Sequence, residues 1–486
     1  MCQVEEDYQH ALGRADLPSA SKKCVKCKEA SAAVVIRAGD RYCRSCFQEF
    51  FIHKFRAVLG KTRVIFPGEK VLLAVSGGPS SCSMLRQVQE GLSHTAHKKL
   101  RFSPGLVYID EGGAVGQSAE ERRRTVAELQ VVFRATGFPF HVVPLEQVLD
   151  LPASVVVPGA SPSERPASAY KAAVDRFIQS DSSTRRTAPE ETTAPDVQES
   201  HTHTLQRLIG SVKTLTARDD LLATLRQHLL VHTARSEGYS KLMLGDNCTR
   251  LAVKLLSSIS LGRGAQLAQD TGFSDSRYGD VTSVRPMRDY SAKEIAFYNH
   301  MFSVPSVVTP GLDTKLQADF PSTVSTIYRT SEKLQTAARS SSAAHLSDRC
   351  LLCMCSLDTA AEKVSAFQAT LISEQLSQTK SPAAPLNPGP RSAAPSGPSC
   401  CAAGAEDCGR AAGGGSCCSS AKEPQTGDLR SLLCYSCQLT VRDMSSVEHL
   451  PQYILSEAQR RQRRSQMREE ITEFLLDDGD DGDEGD

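Results

Sequence analysis

Lys70-Val71-Leu72-Leu73-Ala74-Val75-Ser76-Gly77-Gly78-Pro79-Ser80-Ser81 decides the fold of this 486-residue chain. Val71 to Val75 is a short apolar run that stops at glycines, the pattern of a buried parallel strand. The helix after it is expected to start near Ser81. Glycines between strand and helix let backbone N–H groups approach an anion, and the helix dipole favours negative charge there.

Downstream, the same alternation repeats. Leu106 to Ile109 reads as a strand, Ser118 to Thr136 as a helix with Val126, Leu129 and Phe133 at helical spacing, and Phe140 to Val143 as a third strand. Pro152 to His203 interrupts it with a stretch rich in Ser, Thr, Pro and Ala, whose middle, about 180–204, reads as a disordered insertion. The pattern resumes with helix candidates at Asp219–Glu237, Asn247–Ser258 and Tyr290–Phe302 and a strand at Lys241–Leu244. Strand and helix in alternation imply an α/β fold, a parallel sheet with helices on both faces.

Cysteine pairs flank this region. Cys24-x-x-Cys27 precedes Cys43-x-x-Cys46, with fifteen residues between the pairs. Four thiolates at this spacing suit a tetrahedral zinc ribbon, a closed structural site; the competing reading is four unligated or redox thiols. Cys350-x-x-Cys353 and Cys434-x-x-Cys437 make a second candidate ribbon, split by a low-complexity stretch at about 378–426. Loop-closure cost grows only logarithmically with length, so such a split is tolerated. Cys355, Cys400, Cys401, Cys408, Cys417 and Cys418 read as surface cysteines in a flexible loop, and Cys82 and Cys248 as small buried residues.

Lys+Arg and Asp+Glu both number 56, so net charge is zero and any basic surface is local. One such surface surrounds the first ribbon. Lys22, Lys23, Lys26, Lys28, Arg37, Arg41, Arg44, Lys54, Arg56, Lys61 and Arg63 face only Glu29, Asp40 and Glu49, an excess of eight positive charges. That excess suits a phosphate backbone, with Lys22, Lys23, Lys26, Lys28, Arg41 and Arg44 as candidate RNA contacts. The bland alternative is a solvated face. Near the end lie Arg460, Arg461, Arg463 and Arg464, then the acidic run Asp477 to Asp486. An acidic beginning without an apolar core, no apolar run long enough for a membrane span and the Cys-x-x-Cys pairs place the chain in the cytosol. The expected division is 1–65 ribbon and basic region, 66–345 α/β domain, 346–444 second ribbon and 445–486 C-terminal helix and acidic tail.

The chain resembles the PP-loop ATP pyrophosphatase superfamily, whose turn reads Ser-Gly-Gly-x-Asp-Ser, and within it the subunits of complexes that thiolate wobble uridine in tRNA. The resemblance rests on the first Cys₄ knuckle, Val71 to Ser81, Tyr108-Ile109-Asp110-Glu111-Gly112, Leu244-Gly245-Asp246-Asn247, Arg285-Pro286-Met287-Arg288 with Lys293-Glu294, and the late cysteine pairs, in that order. It implies a catalytic PP-loop partner, tRNA, and sulfur delivered by a ubiquitin-like carrier with a thiocarboxylate end. The departures concern chemistry. Ser80 replaces the acid of the turn, leaving Ser76, Gly77, Gly78, Ser80 and Ser81 as a degenerate nucleotide-binding turn. The family's Gly-x-Asn-x-Asp-Asp here reads Gly245-Asp246-Asn247-Cys248-Thr249-Arg250, without the acid pair. Between Cys82 and Cys248 there is no cysteine to accept sulfur. Magnesium needs oxygen ligands of the kind that are replaced, so ATP binding is in question and no residue is assigned to catalysis. The expected function is therefore a non-catalytic or co-catalytic subunit. The competing readings are an active ATP-dependent tRNA sulfurtransferase and a zinc-ribbon scaffold unrelated to tRNA.

Overall fold

The computed structural model of the chain describes residues 23–36, 40–93, 99–159, most of 170–178, 197–307, 324, 327–329, 349–357 and 429–472. Residues 1–359 and 432–486 make one compact unit and 360–431 another; the architecture that follows is that of the first. Lys22, residues 180–196, the stretch 378–426 and the acidic run 477–486 lie outside the described residues.

The chain begins with a small antiparallel pair, β1 (Val34–Val35) and β2 (Arg41–Tyr42), followed by helix α1 (Arg44–Thr62). Strand β3 (Lys70–Ala74), helix α2 (Pro79–Leu92), β4 (Ser103–Asp110), α3 (Ala119–Arg134) and β5 (Phe140–Pro144) come next. After them run α4 (Glu199–Gly210), α5 (Leu215–Ser236), β6 (Lys241–Leu244), α6 (Cys248–Ser260), α7 (Leu267–Thr271), β7 (Ser274–Asp275), β8 (Thr282–Val284) and α8 (Ala292–Met301). Helices α9 (Tyr435–Arg442) and α10 (Gln452–Thr472) close the described chain. The main sheet has six strands in the order β5-β4-β3-β6-β8-β7, parallel except for β7 at its edge.

Strand alternation assigns the two faces of the sheet. Val71, Leu73 and Val75 join Leu106, Tyr108 and Met243 in one core with residues of α1, α2, α3 and α8. Leu72, Val107 and Leu242 point the other way and are buried on the side where α5 meets β4 and β6. The expected parallel sheet with helices on both faces is therefore present. Its helices start where local chemistry allows. Pro79 sits in the first turn of α2, two residues before the expected start, because its fixed φ is already helical. Capping boxes, Ser118 with Glu121 and Ser291 with Glu294, open α3 and α8.

Three expectations change. The aromatic, basic stretch from Phe47 to Arg63 is helical as far as Thr62, and Phe47, Phe51 and Phe55 are fully buried beside Tyr290 and Tyr298. The segment read as a ribbon of its own thus shares the core of the α/β domain. The insertion expected at 180–204 is helical over its last residues, 199–204. Its Ser, Thr and His composition hid an anchor at helical spacing just beyond, Leu205 and Leu208, both buried. Finally, β7 and β8 were not foreseen. They are two and three residues long and mostly polar, below what periodicity resolves.

A glycine turn at the switch point and two four-cysteine clusters

Strands β3, β4 and β5 extend the sheet in one direction and β6 and β8 in the other, so the order reverses between β3 and β6. Crevices outside the carboxyl ends of strands at such a reversal are where open α/β sheets bind ligands. The register pairs Ala74 with Leu244, so Val75 to Ser81 and Gly245 to Asn247 leave the sheet side by side. Gly77 takes φ +84°, a conformation that favours glycine. Gly245 has a different reason to lack a side chain, since a Cβ there would lie 2.9 Å from the Ser81 Cα.

The hydroxyls of the turn are directed into this contact. Ser80 Oγ donates to the Gly245 carbonyl at 2.6 Å and accepts from Asn247 Nδ2 at 3.3 Å. Ser81 Oγ donates to the Gly78 carbonyl at 3.1 Å, and Cys82 Sγ to the Gly77 carbonyl at 3.1 Å. The Cys82 thiol is pushed up to about 12 by burial, which suits the small buried residue expected and not a nucleophile. Ser76 Oγ lies 3.3 Å from Ser81 Oγ. The five turn residues singled out in the sequence are together, with Ser80 acting as a clasp between the two loops.

Carboxylates after β4 and β6 are engaged by arginines. Asp110 Oδ2 accepts from Arg122 Nε at 2.8 Å, and Glu146 takes both Arg122 Nη atoms at 2.8 and 3.0 Å. Glu111 Oε2 accepts from Arg226 Nη2 at 2.8 Å. Asp246 faces Arg285 Nε at 3.3 Å. Burial raises the Asp246 pKa, but Arg285, with Lys254 and Arg250, holds it below the usual range. Thr249, where the family places an acid, accepts from the Ala292 N–H at 3.1 Å. Arg250 has its backbone N–H capped by Asn247 Oδ1 at 2.9 Å. A carboxylate paired with a guanidinium is a poor ligand for a hard cation, because the two cations compete for the same lone pairs.

The cysteines form two sets. In each, Cys24, Cys27, Cys43 and Cys46 and then Cys350, Cys353, Cys434 and Cys437, the four sulfurs lie within 4.8 Å of one another. A metal–sulfur bond of about 2.3 Å in a tetrahedron puts sulfurs about 3.8 Å apart. Cys27 and Cys43 are 3.9 Å apart, and Cys353 and Cys434 3.6 Å. Each set therefore fits one tetrahedral ion, and is too tight to surround a cubane of four irons. Burial works against ionising Cys24, yet hydrogen bonds from the Cys27, Cys43 and Lys26 backbones bring its thiol down to about 6.

The second set is embedded in the domain. His228, fully buried on α5, has Nε2 at 2.7 Å from the Leu352 carbonyl and Nδ1 at 2.7 Å from Tyr453 Oη. The carbonyl only accepts, so Nε2 carries the proton and Tyr453 donates to Nδ1. Arg277 Nη1 donates to the Cys353 carbonyl at 3.3 Å and to Cys355 Sγ at 2.9 Å; Cys355, expected at the surface, is buried by this contact, while Cys400, Cys401, Cys408, Cys417 and Cys418 lie outside the described residues. Arg263 lies 3.8 Å from Cys437 Sγ while paired with Asp220 at 2.7 Å. Sequence reasoning missed His228, Arg263 and Arg277. A histidine within a helical apolar stripe carries no signal until its partners, more than a hundred residues away, are known.

Around the first set, Lys23 and Lys28 are exposed, and Lys26 pairs with Glu49 at 2.6 Å at the surface. Arg41 lies half-buried on β2. Arg44 is exposed and is also bonded to the body of the protein. It donates to the Met301 carbonyl at 2.7 Å and covers the Phe302 ring at 5.3 Å. Among the described residues no helix is long and apolar enough to cross a membrane.

The family profile described as cytoplasmic tRNA 2-thiolation protein 2 matches residues 312–439. A protein of that name from Danio rerio is 54% identical over 98% of this chain and 99% of its own length. Those from Homo sapiens and Bos taurus are 49% and 48% identical, again over nearly the whole of both chains. Among solved structures, the U34-tRNA thiolase NcsA of Methanococcus maripaludis is similar, with 14% identity, a TM-score of 0.44, and coverage of 66% of this chain and 89% of that one. With half of its residues shared with full-length relatives, this chain belongs to the cytoplasmic tRNA 2-thiolation protein 2 family.

Proposed function

We propose that the protein is a non-catalytic or co-catalytic subunit of the cytoplasmic machinery that thiolates the wobble uridine of tRNA. Family membership ties the chain to tRNA 2-thiolation. The division of labour is read from the switch point. The carboxylates Asp110, Glu111 and Asp246 are each held by an arginine, and Ser80 and Thr249, in the places of family acids, spend their oxygens on backbone partners. Adenylation is normally assisted by a divalent cation bridging the phosphates. A crevice whose acids are already paired keeps the shape of a nucleotide domain without a ligand set for that cation. The glycine turn could still cradle an anion through backbone N–H groups.

In this reading a PP-loop partner supplies the chemistry, with sulfur from a ubiquitin-like thiocarboxylated carrier, and this chain holds the partner, the tRNA, or both. Zinc is the proposed ion at both cysteine sets, since four soft thiolates at tetrahedral spacing suit it. Such sites are closed, hence structural. Lys22, Lys23, Lys26, Lys28, Arg41 and Arg44 are the proposed phosphate contacts near the first set.

The experiment is to purify the chain alone, add tRNA, ATP, magnesium and a sulfur donor, and measure 2-thiouridine by mass spectrometry. The expected result is none from the lone chain and full modification once the partner is added. Turnover by the lone chain, lost in Gly78→Trp, would overturn the subunit reading in favour of an active sulfurtransferase.

A further inference from the structure

Helix α10 is anchored at one end and bare at the other. Tyr453, Ile454, Glu457, Ala458 and Arg461 are buried. Arg461 fastens the helix by donating to the carbonyl of Val156 at 3.1 Å and to Glu457 at 2.9 Å. Beyond it, residues 463–468 are all exposed. The eleven residues beyond Arg461, as far as Thr472, span about 16 Å of helix. An isolated helix of that length is marginal in water unless one face is covered.

The bare part is chemically one-sided. Arg460, Arg464 and Arg468 recur every four residues, so they share a face with a rise of about 6 Å between neighbours. Met467 and Ile471 follow the same stripe, 59% and 49% exposed. Arg463 lies beside it, exposed. Arg460 leans back on Glu457 at 2.6 Å; Arg463, Arg464 and Arg468 are exposed.

We infer that this stripe contacts the phosphate backbone of RNA, with Arg463, Arg464 and Arg468 as the contacting side chains. Exposed guanidiniums grouped on one end of a helix match a polyanion better than they match a folded protein surface, where isolated charges would have to be buried and paired. Met467 and Ile471 would lie against sugar and base rather than in water. The inference rests on the tRNA reading above, and it adds a second contact region, on a different element from the first cysteine knuckle.

The test is tRNA binding by the full chain as a function of salt. Arg463→Ala, Arg464→Ala and Arg468→Ala combined should lower the slope of log affinity against log salt by roughly 2 to 3, at about 0.7 to 0.9 per phosphate contact. Alanine keeps the helix, which circular dichroism checks. The matching triple lysine variant, which keeps the charge, should retain most of the slope. An unchanged slope in a protein that still binds tRNA overturns the stripe alone and leaves the tRNA reading standing. Absence of any tRNA binding by the wild-type chain, alone or with its partner subunit, overturns both. Loss of partner association with tRNA binding intact overturns the RNA assignment in favour of a protein-docking surface.

Discussion

Cys24→Ser separates what the first metal site holds from what the core holds. Among the described residues from 23 to 43, only Cys24, Val34 and Cys43 are buried hydrophobic residues, so this stretch has little apolar burial to keep it folded. With the proposed ion bound, its structure would rest on that ion, whose binding contributes about 10–16 kcal/mol in peptides of this kind. Helix α1 is different, although Cys43 precedes it and Cys46 lies in its first turn. Phe47, Phe51 and Phe55 have no exposed surface, and each such burial is worth about 1.5–3 kcal/mol, or about 5–9 kcal/mol together. The Phe51 ring stacks on Tyr298 with centroids 3.9 Å apart, and Lys54 pairs with Glu294 at 2.9 Å. Metal analysis of Cys24→Ser should find one ion per chain in place of two. Amide hydrogen exchange should show residues 23–43 opened, while 47–55 stay protected as in the wild type. Equal loss of protection in both segments would show that the metal, and not the aromatic core, holds α1, and would refute the argument.

Two further outcomes follow from buried polar groups. Arg122→Met leaves Asp110 and Glu146 without their shared cation, where all three side chains are at most 10% exposed. Chemical denaturation should read a loss of about 3–5 kcal/mol, with part of it recovered by adding Glu146→Gln. Burial lowers the His228 pKa to about 4, from an ordinary value of about 6.5. The unfolded chain then binds the extra proton first, so the stability from this site is fully present above pH of about 6.5 and falls by about 3 kcal/mol as the pH drops toward 4. His228→Gln should flatten that part of the stability–pH curve, and an unchanged slope would mean that the imidazole is not held neutral.

The sequence by itself determined the parallel sheet, because apolar runs ending at glycines and helices with period 3.6 are local patterns. It also determined the two ligand sets, because Cys-x-x-Cys fixes two sulfurs within one tight turn. Cys350-Cys353 and Cys434-Cys437 could be matched across a long insertion for that reason. Likewise the loss of acids at Ser80, Thr249 and Arg250 is visible in the residues alone. Only the tertiary structure decided what those replacements do: that Ser80 clasps the Gly245 loop, and that Asp110, Glu111 and Asp246 are each taken by an arginine from another element. It alone placed α1 in the main core, bonded Arg44 to the end of α8, and set His228 between the second cluster and α10. The physical reason is common to all of these. Periodicity and motif spacing report on neighbours along the chain, whereas an ion pair or a buried hydrogen bond is set by the other side of the contact, brought there by the sheet order.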